Sequence, residues 1–351
     1  MIVLGIESSC DETAVALVRN GQEVLSSKVA SQVDVHKIFG GVVPEVAARE
    51  HLKAIQPMFM EAMAESNLSP SDIDLIGVTQ GPGLIGALLV GVSFAKGLAS
   101  SLSKPLLPVD HVHAHVHGAM LGLDSRQIES ELFPCLSLVV SGGHTNLYYM
   151  DGPVSFELLA STLDDACGEC FDKVAKIIGL SYPGGPQIEA LAKGGDPKAV
   201  SMPTMVSEKQ KMMFSYSGLK THVLNFVEKE GSLSDAKRAD LCASFQEEAL
   251  GQIIRKIKRA MQIKGKRIKS LLVAGGVAAN TRFREMVASE LQMKAYFPKL
   301  TYCADNAAMI AALAWHEYNR YKGNRELLMS HDWDAYSRYR FEKVIPQVHT
   351  K

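Results

Sequence analysis

Residues 2–18 read Ile2-Val3-Leu4-Gly5-Ile6-Glu7-Ser8-Ser9-Cys10-Asp11-Glu12-Thr13-Ala14-Val15-Ala16-Leu17-Val18, and the fold class follows from them. Ile2 to Ile6 is a continuous apolar run, which suits a strand buried on both faces. Glu7 to Thr13 makes a small polar turn, and Ala14 to Val18 resumes an apolar strand. Working outward, Pro44 marks a helix start, where its missing N–H costs little, and that helix runs to about Ser66. Asp74 to Thr79 reads as a strand, Leu84 to Leu102 as a largely buried helix and Leu106 to Val109 as a further strand. Alternating strands and helices predict an α/β fold.

The opening pattern recurs near residue 135. Leu136-Ser-Leu-Val-Val140 runs into Ser141-Gly142-Gly143-His144-Thr145 and then Asn146-Leu-Tyr-Tyr-Met150, again strand, small-residue turn with a Thr, and strand. A later pair also corresponds: Leu75-Ile-Gly-Val-Thr79 before Gly81-Pro-Gly83, and Leu271-Leu-Val-Ala274 before Gly275-Gly276, each leading into a helix. This order predicts two duplicated lobes around a cleft, which resembles the actin-like (ASKHA) ATPase fold. The expected division is 1–110 for the first lobe, completed by the helix 305–323, then 111–304 for the second and 324–351 as a tail.

Length and composition agree with that plan. At roughly 150 residues per domain, 351 residues predict two domains. A hydrophobic share of 47% and a charged share of 21% exclude a disordered chain, a collagen-like repeat and a coiled coil. The formal net charge of −1, from 37 basic and 38 acidic side chains, means that a nucleic-acid partner must be held by a local patch. Arg255, Lys256, Lys258, Arg259, Lys264, Lys266, Arg267 and Lys269, with no acid among them, fit either a phosphate-backbone patch or a solvated helix end. Six cysteines are too sparse for a disulfide framework, and the N-terminus reaches Glu7, Asp11 and Glu12 without a basic start. Reduced thiols in the cytoplasm are the expectation. The uncharged stretch from Leu75 to Ala95 is broken by Thr79-Gln80-Gly81-Pro82-Gly83, which predicts strand, turn and buried helix and no membrane span.

Three small-residue turns follow strands and could offer backbone N–H groups to phosphate: Ser8 to Thr13, Ser141 to Thr145 and Gly275 to Asn280. None ends in Gly-Lys-Ser/Thr and none is G-x-G-x-x-G. Each could equally be a tight turn that needs Gly for its backbone angles. Asp11 and Glu12 within the first turn point to a metal, a proton acceptor or an amine to be oriented. His111-Val-His113-Ala-His115-Val-His117 puts His111 and His115 on one helical face and His113 and His117 nearly opposite. One pair at i and i+4 can hold a metal, or the rings can simply pack or cap. Position 112 is Val where H-E-x-x-H requires Glu, so zinc-protease chemistry is not expected. Asp305, at the start of a helix, is a candidate third ligand, and two imidazoles with a carboxylate suit Fe(2+) or Zn(2+) alike. Cys167-Gly-Glu-Cys170 lacks a second C-x-x-C and reads as two buried packing side chains.

Together these motifs resemble the universal tRNA adenosine threonylcarbamoyltransferase family in its bacterial form, over most of the chain. The resemblance rests on Gly5-Ile-Glu-Ser-Ser-Cys-Asp-Glu-Thr-Ala14, His36 through Gly40-Gly-Val-Val-Pro-Glu45, Gly81-Pro-Gly-Leu84, Lys96-Gly97 through Pro105 to His111 and His115, and Ser141-Gly-Gly-His-Thr145. It continues in Phe171-Asp-Lys-Val-Ala175, Tyr182-Pro-Gly-Gly-Pro186, Phe214-Ser-Tyr-Ser-Gly-Leu-Lys220, Gly275-Gly-Val-Ala-Ala-Asn280 and Cys303-Ala-Asp-Asn306. It implies a metal on His111, His115 and Asp305, thereby selecting the first histidine pair. It also implies a pocket for threonylcarbamoyl-AMP lined by Val140, Ser141, Gly142, Gly143, His144, Asp172, Gly185 and Asn280. The implied reaction moves the threonylcarbamoyl group to N6 of adenosine 37 in tRNAs reading ANN codons, with a shorter paralogous subunit of TsaB type and a P-loop ATPase of TsaE type as partners. Within it, Asp11 or Glu12 would orient the amine or take its proton. The competing readings are an ATP hydrolase or kinase of the same superfamily and a non-catalytic nucleotide-binding scaffold; the histidine helix separates the first, and metal dependence the second.

Overall fold

The computed structural model describes residues 1–124, 126–204, 212–321, 324 and 328–338. Its first sheet is built from β1 (Ile2–Glu7), β2 (Glu12–Arg19), β3 (Glu23–Ser31), β4 (Leu75–Gly81) and β5 (Leu106–Asp110), in the order β3-β2-β1-β4-β5. The second is built from β6 (Cys135–Val140), β7 (Thr145–Met150), β8 (Glu157–Thr162), β9 (Met213–Phe214), β10 (Ser270–Ala274) and β11 (Lys294–Tyr296), in the order β11-β10-β6-β7-β8-β9. Set side by side, β8-β7-β6-β10-β11 repeats β3-β2-β1-β4-β5. The directions repeat as well: β1–β2 and β6–β7 pair antiparallel, whereas β1–β4 and β10–β6 pair parallel. The duplication read from residues 2–18 and 136–150 is therefore a duplication of topology.

The helices are α1 (Val33–Lys37), α2 (Pro44–Ser66), α3 (Ile85–Leu102), α4 (His111–Gly118), α5 (Cys167–Ile177), α6 (Gly184–Ala192), α7 (Ser217–Glu230), α8 (Asp235–Lys264), α9 (Thr281–Glu290) and α10 (Ala307–Tyr321). Side chains alternate across a strand, so Leu4, Ile6, Val15 and Leu17 face α2 and α3, meeting Ile55, Phe59, Val92 and Ala95. Val3, Ala14, Ala16 and Val18 face the other way, onto Ala307, Ala308, Ile310, Ala311 and Ala314 of α10. The alanines of α10 let that helix lie close to the strands. Helix α3 is, among the described residues, the one helix long and apolar enough to cross a membrane by length and composition. Here it buries Ala87, Leu88, Val92, Ala95 and Ala99.

In the second lobe, Leu136, Leu138, Val140, Leu271 and Val273 share a core with Phe171, Phe245 and Ile253. Val139 and Leu272, on the opposite face, pack with Val112 and Val116 of α4. Ala114 of the same helix belongs to the first lobe's core. Helix α4 thus stands between the two sheets, and residue 111 begins an element that both lobes share. Strand β3 escapes sequence reading because it is a half-exposed edge strand carrying Ser26, Ser27, Lys28 and Ser31. Residues 328–338 cross the first lobe: Leu328 is buried beside α10, and Trp333 and Ala335 lie against the core under α3. Positions 322, 323, 325–327 and 339–351 of the expected last helix and tail lie outside the described residues.

Candidate active site and metal centre

The lobes face a cleft of about 1260 Å³. Both strand-to-strand turns open into it: Ser9 to Glu12 from the first lobe and Ser141 to His144 from the second. Their equivalent places in the duplicated sheets explain why they meet.

His111 and Asp305 line its floor with His115 buried behind them, and the ligand atoms of the three all lie within 4.8 Å of one another. Helix α4 begins at His111, capped by Asp110, whose side chain accepts from the His113 N–H at 2.9 Å. Successive turns of α4 bring the first and third of its histidines to the same face, with ring centroids 4.7 Å apart. Asp305 lies just ahead of α10, whose first turn is held by Asn306 Oδ1 accepting from the Met309 N–H at 3.0 Å. Its Oδ1 is 3.7 Å from His111 Nε2 and 3.2 Å from His115 Nε2.

The fit to a dication can be judged from these atoms. His115 is almost fully buried, yet among the described residues neither ring nitrogen makes a well-formed hydrogen bond, Nε2 having only the Asp305 carboxylate beside it. Buried polar atoms are rarely left so, and a nitrogen aimed at a second imidazole and a carboxylate is what a metal ligand requires. Burial alone would raise the pKa of Asp305, but the neighbouring His111 and His115 hold its carboxyl well below the usual range. Burial would likewise lower that of His111, but Glu7 and Asp305 push it up to about 9. The donor set fits. The other two histidines are engaged elsewhere: His113 stacks on Phe156 at 3.9 Å, and His117 Nε2 meets the Pro153 carbonyl at 3.0 Å.

Glu7, absent from the sequence-level site, proves central. It is fully buried, and its Oε2 lies 3.1 Å from His111 Nδ1 and accepts from Thr79 Oγ1 at 2.6 Å, while Oε1 accepts from the Ser9 N–H at 2.5 Å. A carboxylate on one ring nitrogen fixes the tautomer that presents the other to a metal. The only sequence signal for it is an acid at the end of an apolar strand.

Asp11 and Glu12 reach the cleft. Burial, followed by the charges of Asp305 and Asp11, pushes the Glu12 carboxyl up to about 10. Such crowding of acids is relieved by a cation. Opposite, Ser141 Oγ accepts from the His144 N–H at 3.2 Å, closing a turn in which Gly142 and Gly143 are exposed with open space where a Cβ would stand. Burial, then His111 and His115, lowers the His144 pKa to about 4, leaving that ring neutral. Asp172 also lines the cleft, with Oδ1 accepting from the Gly184 N–H at 2.7 Å at the start of α6.

The three remaining expected pocket residues adjoin this lining. Val140 is fully buried behind the turn, and Gly185 lies in the first turn of α6 beside Asp172. Asn280 caps α9 by accepting from the Phe283 N–H at 2.9 Å and donating to Gln246 Oε1 at 2.8 Å. Gly276, in the same turn as Asn280, lines the cleft. Cys167 and Cys170 are buried packing residues, and burial pushes the Cys167 thiol up to about 12; all six cysteines are unpaired. In the basic segment Arg255, Lys258 and Lys264 pair with Glu248, Glu290 and Glu157, and Lys256 is buried. These contacts favour a charge-balanced helix surface over an open phosphate stripe.

Two lobes of one topology, with two histidines, a carboxylate and a glycine turn gathered at one cleft, define a protein of the actin-like ATPase fold. Solved structures agree on the fold: full-length HypF in its phosphate- and nucleotide-bound form aligns with a TM-score of 0.58 at 12% identity, covering 92% of this chain and 47% of that one. Component A of the Acidaminococcus fermentans (R)-2-hydroxyglutaryl-CoA dehydratase aligns with a TM-score of 0.53 at 14% identity, covering 91% and 99%. The sequence goes further. A model of the TsaD family, tRNA N6-adenosine threonylcarbamoyltransferase, matches residues 23–312. A relative of that name from Symbiobacterium thermophilum is 48% identical over 318 residues, 90% of this chain and 91% of its own length. Another from Syntrophobacter fumaroxidans is 47% identical over 348 residues, 97% and 100%. The chain belongs to the tRNA N6-adenosine threonylcarbamoyltransferase family and is a transferase.

Proposed function

We propose that the chain transfers the threonylcarbamoyl group from threonylcarbamoyl-AMP to N6 of adenosine 37 in tRNAs reading ANN codons. The bond from adenine N6 to the carbamoyl carbon forms, the bond from that carbon to the phosphate oxygen breaks, and AMP leaves with the electron pair. Adenine N6 is a weak nucleophile because its lone pair is delocalised, so activation resides in the mixed anhydride. The protein's part is orientation and stabilisation of charge developing at the carbonyl.

The observation that carries this reading is the facing of His111, His115 and Asp305 by the bare Gly142-Gly143 turn across one cleft. About 1260 Å³ exceeds the usual pocket for one small molecule and leaves room for an adenylate and an adenosine together. The turn's N–H groups would bind the adenylate. Asp11 or Glu12 would orient the incoming amine or take its proton. Fe(2+) or Zn(2+) on His111, His115 and Asp305 would supply positive charge and Lewis acidity at that end of the cleft. A cytoplasmic site of action with tRNA, a TsaB-type paralogue and a TsaE-type ATPase completes the proposal.

The test supplies preformed threonylcarbamoyl-AMP to the full chain with its partner subunits and unmodified tRNA, and follows AMP release. Release should require adenosine at position 37. Equal release with guanosine there would replace transfer with hydrolysis of the adenylate.

A further inference from the structure

The C-terminal segment does more than cover the first lobe. Trp333 is held by Lys96, whose Nζ donates to its carbonyl at 2.5 Å and lies 4.7 Å over its ring. Gln80 Nε2 donates to the Asp334 carbonyl at 2.8 Å, and the Tyr336 N–H returns a bond to the Gln80 carbonyl at 3.1 Å. The Gly83 N–H then donates to the Ser337 carbonyl at 3.4 Å. Residues 333–337 are thus a strap tied along the turn between β4 and α3. Gly81, at φ +156°, lies directly under it: a Cβ there would come within 2.2 Å of the Tyr336 carbonyl oxygen.

From this strap the Tyr336 hydroxyl donates to Asp110 Oδ2 at 2.8 Å. The other oxygen of the same carboxylate caps α4 by accepting from the His113 N–H. One buried carboxylate therefore ties the C-terminal strap to the first turn of the helix that carries His111 and His115. That helix spans only His111–Gly118, and its first residue is a candidate ligand. Helices this short are marginal alone, so their placement depends on what holds their ends.

We propose that Tyr336 is a positioning residue: acting through Asp110, it sets the start of α4 so that His111 and His115 meet Asp305 at ligand distance. The proposal rests on the metal reading above. It makes residues 333–337 part of the metal centre without touching it.

The full chain is titrated with Zn(II) against a competing chelator, as unaltered protein, Tyr336→Phe, Asp110→Ser and the double variant. Serine keeps an N-cap for α4 but is too short to reach the strap. Tyr336→Phe should weaken Zn(II) binding about tenfold, the lower end for partners beyond the ligands themselves. Asp110→Ser should do the same, and the double variant should lose no more than the weaker-binding single one. With partners and tRNA present, turnover of Tyr336→Phe should recover at saturating Zn(II), with KM for tRNA unchanged. Unaltered Zn(II) affinity in Tyr336→Phe, multiplied losses in the double variant, or a raised KM for tRNA would each overturn the proposal. Failure of the unaltered chain to bind Zn(II) would instead remove the metal reading, and this proposal with it.

Discussion

Replacing Glu7 by Gln isolates the tautomer of His111 from everything else in the cleft. The change conserves volume at a fully buried position, so packing is nearly untouched. Burial would raise the pKa of Glu7, but the His111 charge and hydrogen bond keep it low, so the native side chain is an ionised acceptor. It receives three donors: Ser9 N–H, Thr79 Oγ1 and, when Nδ1 carries the proton, His111. Glutamine has one oxygen and an NH2. Turned one way, its NH2 faces the Ser9 N–H, and turned the other, it faces His111 Nδ1 and favours the tautomer whose Nε2 is protonated and cannot ligate. The first keeps the tautomer but repels the N–H of Ser9, whose hydroxyl also meets His111 Nδ1 at 3.2 Å, and the second removes the ligating nitrogen, so each would weaken metal binding. Changes at such supporting carboxylates cost about 10- to 100-fold in metal affinity, or about 1.4–2.8 kcal/mol. Competition with a fluorescent zinc chelator reads this directly, with the thermal midpoint checking that the fold persists. A Kd within twofold of the unaltered chain would refute the tautomer argument.

Glu12→Gln should leave Zn(II) content unchanged and slow single-turnover transfer about 100-fold in the metal-loaded chain, where a dication would offset Asp305 and let Glu12 ionise and accept the proton; an unchanged rate removes Glu12 from the chemistry. Two glycines should part company. Gly275→Ala, at φ +93° with its Cβ 2.4 Å from the Val140 carbonyl oxygen, should cost about 1–3 kcal/mol of stability in denaturant titration. Gly143→Val, with open space around it, should keep its midpoint while raising KM for the adenylate. Asp164 accepts from Ser215 Oγ, Ser217 Oγ and the Tyr216 and Ser217 N–H groups. Burial opposes its ionisation, but these bonds outweigh it and set its pKa below the usual aspartate value. Its stabilisation is therefore present above about pH 4 and lost as pH falls through the depressed value. Asp164→Asn should cost about 1 kcal/mol at pH 7 after solvent screening, and nothing below that window, in denaturant titrations at both pH values.

The fold was legible because buried strands leave an uninterrupted apolar signature, and two copies of one signature at residues 2–18 and 136–150 imply one topology twice. The histidine pair was legible as far as helical periodicity carries: it gave two faces, and choosing between them required the resemblance. Packing makes the same choice by another route, because His117 is turned to Pro153 and His113 to Phe156. Edge strand β3 was not legible, since its serines, lysine and partly exposed positions break up any apolar run. Glu7 and Tyr336 were hidden for a different reason. Each acts on a partner about a hundred or more residues away, His111 and Asp110, and no local pattern records such a contact. Asn280 was legible as part of a motif, and the structure adds the side-chain bonds no motif records, to the Phe283 N–H as the cap of α9 and to Gln246.

The central claim is that this cleft, with its two histidines and carboxylate, moves a threonylcarbamoyl group onto tRNA. It is tested most directly by nucleoside mass spectrometry of unmodified tRNA after incubation with preformed threonylcarbamoyl-AMP, the partner subunits and either the Zn(II)- or Fe(II)-loaded chain or its His115→Ala variant. Threonylcarbamoyl-adenosine should form with the loaded chain, and neither bound metal nor product should be found with the variant. Full product from a metal-free His115→Ala chain, or none from the loaded one, would contradict it.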